Sequence, residues 1–248
     1  MYVFEQQDKA WVVSPHLKAS NGRESDWFGT SVALSGQGDA LAVGARHDVG
    51  PTARPVTESG ALYVFGWNAG GWTEQDYLKA RHPKVGDRFG AQLALSAQGD
   101  TLAVGATGDA GLAGAAHFYI HRGGCWQLQA RLRAPQPQPG DAFGERLAMS
   151  ADGSVLAVSA VHGMHARQEY AVHVFSRDAT SWSPQRYLTP ANAGAGDLFG
   201  SSLGLSGDGR LVAVGARLED GPTPWHLGNL RFEARAQNIG AVYLHAAL

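Results

Sequence analysis

The side chains that could carry out chemistry lie in several loops rather than in one motif. His162-Gly163-Met164-His165 places two histidines close enough to share a metal ion if a third ligand were fixed nearby. The surrounding sequence offers no such ligand, and it has no nucleophile elbow, zinc-protease motif or phosphate-binding glycine loop. We therefore expect no metal, no cofactor and no catalytic residue, and we treat the polar loop residues as candidates for ligand binding.

The candidate binding residues are charged or aromatic, and they lie in the parts of the chain that vary most. Such side chains suit recognition of a protein or a carbohydrate, and aromatic and cationic groups often dominate interfaces. The candidates are Arg46, His47, Asp48, Asp109, His162, His165, Arg167, Glu219, Asp220, Trp225, His226 and Arg231. An alternative is a lyase or hydrolase in which His162, His165, Glu169 and Asp220 act as acid–base groups.

These residues must be positioned by a sequence that repeats four times. Each copy opens with Asp, any residue, then Phe-Gly, and a serine follows nine residues after the Asp. Ten residues later comes the alanine that ends a strand. The opening aspartates are Asp26, Asp87, Asp141 and Asp197, and the strand-ending alanines are Ala45, Ala106, Ala160 and Ala216. A period of roughly 50 residues is typical of radial or stacked repeat architectures.

Four short strands are predicted in each copy, with a glycine turn between the first and second strands. In the first copy they cover residues 28–34, 40–45, 61–65 and 72–78. Four antiparallel strands repeated without helices predict an all-β fold, a β-propeller of about four blades that occupies residues 1–248 as a single domain. We expect the N-terminal residues 1–19 to complete the last blade, with residues 11–17 pairing beside residues 241–245.

Only the connection from the second to the third strand varies in length. It has 14 residues at Arg46–Ser59, 7 at Thr107–Ala113, 9 at Val161–Glu169 and 23 at Arg217–Ile239. If the copies surround one axis, these connections emerge at the same end of the propeller, which we call the loop rim. Because all the candidate binding residues lie in them, the rim is the predicted recognition surface.

Features present in every copy are better explained by folding than by chemistry. The opening aspartates are expected to accept hydrogen bonds from turn amides. The tryptophans at the start of each fourth strand are expected to pack the blades together: Trp11, Trp72, Trp126 and Trp182.

Composition excludes several classes of partner. The net charge is −2 and no basic run occurs, so we expect no nucleic-acid partner. No apolar run approaches the ~20 residues that span a bilayer, so no membrane insertion is expected. Cys125 is the single cysteine, and no signal-peptide pattern precedes Tyr2-Val3-Phe4. The surplus strand at the chain ends also allows a homo-oligomer joined through those strands.

The repeat resembles the bacterial FG-GAP family, relatives of the integrin α-subunit β-propeller. Phe-Gly is present in all four copies, and the later Gly-Ala pair stands at Gly44-Ala45, Gly105-Ala106 and Gly215-Ala216, with Ser159-Ala160 in the third copy. The resemblance implies an extracellular or cell-surface binding or adhesion module that is not an enzyme. A fragment of a larger propeller of this kind is a further alternative.

Calcium loops of the integrin type are not expected here. Their pattern of alternating aspartates is replaced by turns that begin with serine, at Ser35, Ser96, Ser150 and Ser206. Each turn supplies at most two carboxylates, whereas calcium takes six to eight oxygen ligands.

Overall fold

The structure is a computed structural model that describes residues 1–50, 55–162, 169–190, 196–220, 225–227, 230–232 and 240–248. It opens with a two-stranded hairpin, β1 (Phe4–Gln7) and β2 (Ala10–Val13). Asp8 and Lys9 form its turn with φ values of 47° and 69°, the backbone that a tight two-residue hairpin turn requires.

Two four-stranded antiparallel sheets follow. The first blade contains β3 (Phe28–Leu34), β4 (Ala40–Ala45), β5 (Ala61–Asn68) and β6 (Gly71–Leu78). The second contains β7 (Phe89–Leu95), β8 (Thr101–Ala106), a short turn α1 (Asp109–Leu112), β9 (Ala115–Arg122) and β10 (Cys125–Leu132). Within each sheet, strands that are consecutive in sequence pair with each other, as the repeat predicts.

The third blade contains β11 (Leu147–Met149), β12 (Val155–His162), β13 (Glu169–Asp178) and β14 (Ser181–Leu188). In the fourth copy, β15 (Phe199–Leu205) and β16 (Leu211–Ala216) are followed by a hairpin of β17 (Trp225–Leu227) and β18 (Leu230–Phe232). The last strand, β19 (Ala241–Ala246), pairs with β16 and completes a three-stranded sheet.

The first strand of the third blade is shorter than its counterparts for a local reason. Ser159 occupies the position of Gly44 and Gly105, and its hydroxyl accepts a hydrogen bond from the Arg146 amide at 2.9 Å. The Arg146 amide therefore does not join the regular strand ladder, although Ser159 still donates its amide to Arg146 O at 3.0 Å, and the strand begins at Leu147.

The glycine turns predicted between the first and second strands are confirmed. The third residue of each turn has a φ near 70°, a conformation open to glycine at little cost: Gly38, Gly99, Gly153 and Gly209. The turn serine closes the hairpin, since Ser35 Oγ donates to Asp39 at 2.7 Å and accepts the Ala40 amide at 3.0 Å.

Hydrophobic cores lie between consecutive blades rather than inside them. One core joins Leu62 and Val64 of the first blade to Phe89 and Leu102 of the second, with Trp126 packed against it. Equivalent cores join the second blade to the third and the third to the fourth. Consecutive sheets therefore bury the faces that they turn toward each other, which is the arrangement expected for propeller blades.

The N-terminal hairpin does not complete the last blade as expected. β2 pairs with β1, and among the described strands β19 pairs only with β16. Residues preceding and following the hairpin, including Met1, Val3 and Leu17, pack on the first blade beside Val43 and Tyr63. The tight turn at Asp8 and Lys9 favours this local pairing, so the described sheets are not closed into a ring.

Close backbone approach holds neighbouring blades side by side. Gly114, just before β9, forms a bridge with Phe143 of the next blade, and the Phe143 amide donates to Ala113 O at 3.0 Å. Gly60 forms the same bridge with Phe89. A Cβ at Gly114 would overlap the backbone nitrogen and oxygen of Phe143, so any larger residue must push the two blades apart.

Replacing Gly114 with alanine is therefore expected to lower the free energy of unfolding by about 3 kcal/mol or more, through backbone strain and overlap with Phe143. Gly111→Ala is the matched control. Gly111 also has a positive φ, 74°, but an added Cβ would meet no atom within 4 Å, so its cost is about 1 kcal/mol. Urea denaturation measures both, and equal losses would contradict a close contact between the blades.

Candidate ligand-binding site

The described second-to-third-strand loops are fixed at their bases by the same hydrogen bond. In each, an acidic residue three positions after the strand-ending alanine accepts, through its carbonyl, the amide of the glycine before the third strand. The pairs are Asp48 with Gly60 at 2.9 Å, Asp109 with Gly114 at 2.8 Å and Glu219 with Gly240 at 3.1 Å. These loops therefore differ in length only between the acidic residue and the glycine that this hydrogen bond joins.

The same loops also bond to the opening segments of the blades. His47 donates its amide to Asp26 O at 3.2 Å, Gly108 to Asp87 O at 3.1 Å and Leu218 to Asp197 O at 3.1 Å. These described loops and the connections that lead into the first strands therefore lie at one end of their sheets and form the loop rim.

Asp48 joins the loop of the first blade to its outer strands. Its carboxylate accepts hydrogen bonds from the Tyr63 and Tyr77 hydroxyls, each at 2.9 Å, and from Lys79 Nζ at 2.8 Å. Burial opposes ionisation of Asp48, but the contacts from Lys79, Tyr63 and Tyr77 outweigh it and lower its pKa. This predicted site residue is buried and satisfied, so it positions the loop instead of facing a ligand.

Asp109 takes the equivalent place in the second blade with cationic partners. Arg131 Nε donates to its Oδ2 at 2.8 Å, and a second Arg131 nitrogen contacts Oδ1. His117 Nε2 lies 3.2 Å from Oδ2, and Arg133 lies 3.5 Å from Oδ1. Burial raises the pKa of Asp109, but the hydrogen bonds of His117 and Arg131 and the Arg131 charge hold it at about 2.

A pocket of about 440 Å³ opens beside this carboxylate. Its walls come from the connection between the first and second blades, from the Asp109 loop and from β10. The charged and titratable residues that line it are Arg81, His82, Lys84, Asp87, Asp109, His117, Arg131 and Arg133. Four permanent cations thus face two carboxylates, and the pocket carries a net positive charge.

Two of these cations take no part in the ion pairs that the described residues form. Within the described part of the chain, neither Arg81 nor Lys84 forms an ion pair, and both are exposed. In the same part, Arg133 Nε and His117 Nδ1 are buried without a hydrogen-bond partner. Unpaired buried polar atoms of this kind are uncommon in folded proteins.

The third blade has an equivalent pocket with different chemistry. It is about 620 Å³ and is lined by Pro135, Gln136, Gln138, His173, Pro184, Gln185, Arg186 and Tyr187. Gln138 replaces Lys84 and Tyr187 replaces Arg131, which leaves Arg186 as the single Lys or Arg among the described residues of its lining. The fold therefore creates the cavity, whereas the residues of the second blade give it its positive charge.

The remaining predicted residues fall into three groups. Arg46 and His47 lie together on the rim over Trp27, the arginine 4.5 Å from the ring centre and the histidine ring stacked at 4.1 Å. Glu219 is buried and Asp220 is exposed. His165 and Arg167 lie outside the described residues, as do the side chains of His162, Trp225, His226 and Arg231.

Three of the four repeated aspartates and three of the four repeated tryptophans have the structural roles expected of them, whereas the packing role expected of Trp11 is wrong. Asp26, Asp87 and Asp141 are buried and accept the amide of the residue three positions earlier, at 2.7, 2.8 and 2.7 Å. Trp72, Trp126 and Trp182 pack against the cores, whereas Trp11 is exposed. Within the described ranges, no three His, Cys, Asp or Glu side chains are grouped closely enough to hold a metal ion.

Sheets of four antiparallel strands that share cores with their neighbours define a β-propeller architecture. The FG-GAP repeat model matches residues 11–65, 72–119 and 182–244, which together make up more than half of the chain. The protein belongs to the FG-GAP repeat family. Among the helices that the structure describes, none is both long and apolar enough to cross a bilayer.

Two solved structures that partly match this one are distant in sequence. Sqt1 from Chaetomium thermophilum has a TM-score of 0.49 at 16% identity, covering 79% of this chain and 43% of that one. A putative TolB from Agrobacterium tumefaciens has a TM-score of 0.45 at 14% identity, covering 75% of this chain and 53% of that one. The chain thus spans about half the length of these proteins. No curated protein sequence matches it.

Because the pKa of Asp109 is lowered, the free energy of unfolding depends on pH in the acidic range. Between the ordinary value of 3.8 and about 2, the folded protein binds fewer protons than the unfolded chain, so its stability falls as the pH falls through that range. Asp109→Asn is expected to lose roughly 2 kcal/mol at pH 7, because it leaves Arg131 and His117 without their carboxylate. It should also lose less stability than the wild type between pH 4 and pH 2.

Urea denaturation at a series of pH values measures this effect. Asp178→Asn, at an exposed position, is the control and should follow the wild type. A pH dependence in Asp109→Asn as steep as that of the wild type would show that this carboxylate is not held by the contacts described.

Proposed function

We propose that the protein is a non-enzymatic binding module that recognises an acidic group of a protein or glycan through its loop rim. The observation that carries this proposal is the pocket beside Asp109, where Arg81 and Lys84 are exposed at the rim without ion-pair partners in the described chain. Membership of the FG-GAP family supports an extracellular or cell-surface setting, because proteins with these repeats are typically extracellular.

The charge of the pocket selects the ligand class. Asp109 forms ion pairs with Arg131 and Arg133, whereas Arg81 and Lys84 form no ion pair with a described residue. A guanidinium group binds carboxylate or sulfate through paired hydrogen bonds, and two unit charges 4 Å apart near a protein surface interact by about 4 kcal/mol. A carboxylate or sulfate ester therefore fits the chemistry of the pocket better than a neutral sugar.

The scaffold also suits recognition. Asp109 is held by its side chain to Arg131 and by its carbonyl to Gly114, so the pocket wall is rigid before a ligand arrives. A preformed site loses less conformational entropy on binding than a mobile one. Two other predicted rim residues, Arg46 and His47, extend the proposed surface around the same end.

Removing the unpaired cations is expected to weaken binding of an acidic polymer. Arg81→Ala/Lys84→Ala should lower affinity for a sulfated polysaccharide or for poly-glutamate by tenfold or more at low ionic strength, and added salt should reduce the difference. Calorimetry with both polymers identifies which acidic group is preferred.

The matched control is Lys18→Ala/Arg122→Ala, which removes the same net charge from exposed positions outside the pocket. If both double variants lose affinity equally, binding reflects overall charge and not this pocket. If neither acidic polymer binds the wild-type protein, the proposal is wrong.

A further inference from the structure

The pocket of the third blade differs in chemistry from the Asp109 pocket. It has a volume of about 620 Å³, and its walls come from the connection between the second and third blades, from β13 and from β14. Among its described lining residues, Arg186 is the one Lys or Arg, and none is a carboxylate. The third copy has glycine, Gly163, three residues after Ala160, so the acidic residue of the other three loops has no counterpart there.

An exposed tyrosine ring lines this pocket. Tyr187 is 58% exposed. It pairs across the strands with His173, and the centres of the two rings lie 5.0 Å apart. His173 is itself buried, with its ring 5.4 Å from the buried ring of Phe143. Rings that belong to the core therefore support the Tyr187 ring, while more than half of this residue is open to solvent.

The connection between the second and third blades supplies a stiff wall with two amide side chains. Gln136 and Gln138 alternate with three prolines over residues 135–139. A proline fixes its own φ and restricts the residue before it, so both glutamines have little backbone freedom. The Gln138 backbone amide also donates to the Asp141 carboxylate at 2.7 Å. Both glutamine side chains are exposed and form no hydrogen bond within the described chain, so their amide groups are open to a ligand.

The outer strand β14 contributes four consecutive residues, 184–187, to the lining. Strict alternation would turn only every second residue toward the pocket, but β14 has a bulge at Gln185, where the register shifts between Pro184 and Arg186. Gln185 donates its side-chain nitrogen to Ser176 at 2.8 Å, which leaves its side-chain oxygen as an acceptor. A third amide and a guanidinium group therefore border the same pocket as the tyrosine ring.

A sugar ring matches this combination of groups. A side-chain amide offers both donors and an acceptor, and a hydroxyl group is likewise both donor and acceptor. The C–H face of a sugar ring is apolar and can lie against an aromatic face. A proline-rich peptide also packs on aromatic rings, but proline has no N–H, so such a peptide would leave the glutamine oxygens without donors. With one permanent cation in its described lining, the pocket suits a neutral ligand better than a polyanion.

We infer that the pocket of the third blade binds one ring of a neutral glycan, stacked on Tyr187 and hydrogen-bonded to the side chains of Gln136 and Gln138. Its volume lies within the range of about 300–1,000 Å³ that is usual for pockets that hold small ligands. The inference does not rest on the function proposed above, because the two pockets share no described lining residue and their ligands differ in charge.

Saturation-transfer difference NMR on the full chain tests this inference, with cellotetraose, maltotetraose, mannotetraose and galactotetraose as probes. The wild type is expected to bind at least one of them with a dissociation constant of about 1 mM or lower, and saturation should be strongest at ring C–H protons. Tyr187→Ala should weaken binding at least tenfold. Tyr187→Phe keeps the ring and should stay within about threefold of the wild type.

A second variant keeps the test independent of Tyr187. Gln136→Ala/Gln138→Ala should weaken binding at least fivefold with an unchanged thermal unfolding curve, because both side chains are exposed. Trp67→Ala is the matched control, since it removes a 44% exposed aromatic ring outside this pocket, and it should bind like the wild type. Arg81→Ala/Lys84→Ala should also bind the neutral probe like the wild type.

Four results would overturn the inference. The first is that none of the four oligosaccharides binds the wild type. The second is an equal loss of affinity in Tyr187→Ala and Trp67→Ala, which would indicate stacking on any exposed ring. The third is a loss in Arg81→Ala/Lys84→Ala as large as that in the glutamine variant, which would place the probe in the Asp109 pocket. The fourth is that a proline decamer binds through Tyr187 while the oligosaccharides do not.

Discussion

The close approach of backbone between consecutive blades is the constraint on which the rest of the structure depends. Gly60 and Gly114 precede the third strands and pair with Phe89 and Phe143 of the next blade. This contact leaves no room for a side chain at the glycine, and it fixes the end of each loop against the next blade. The loop rim and its pocket exist because neighbouring blades are held in this register.

The same constraint explains how variable loops coexist with a repeated frame. An acidic residue and a glycine fix the base of each described loop, so insertions between them change the rim without disturbing the sheets. Asp48 and Asp109 both stabilise this base, the first through tyrosines and a lysine, the second through arginines and a histidine. The site in the second blade is a charged pocket because the partners of Asp109 are arginines and a histidine, where Asp48 has tyrosines and a lysine.

Much of the fold could be predicted from the sequence because its signals are local. Period-two alternation and a glycine turn place β3 and β4, and the structure gives the same bounds, Phe28–Leu34 and Ala40–Ala45. The pairing of the chain ends could not be predicted in this way. It depends on competition between a distant partner strand and the tight turn at Asp8 and Lys9, which favours the local hairpin.

The candidate site was only partly predictable. Asp48 and Asp109 were identified as variable loop residues, although their constant position three residues after the alanine was a signal of a structural role. Lys84 and Arg131 were not identified, because they lie in a connection and an outer strand of different blades. Lys84 and Arg131 line one pocket because the blades pack together, and their spacing in the sequence gives no sign of this proximity.

Amide hydrogen exchange at Phe89 and Phe143 tests the central claim most directly, because these amides donate across the blade interface to Ser59 and Ala113. If the blades are held together by this contact, both amides should exchange only through global unfolding, with protection equal to that of the core strands. Exchange as fast as at the exposed turn of Asp8 and Lys9 would show that the blades separate readily, and would contradict the account of the rim.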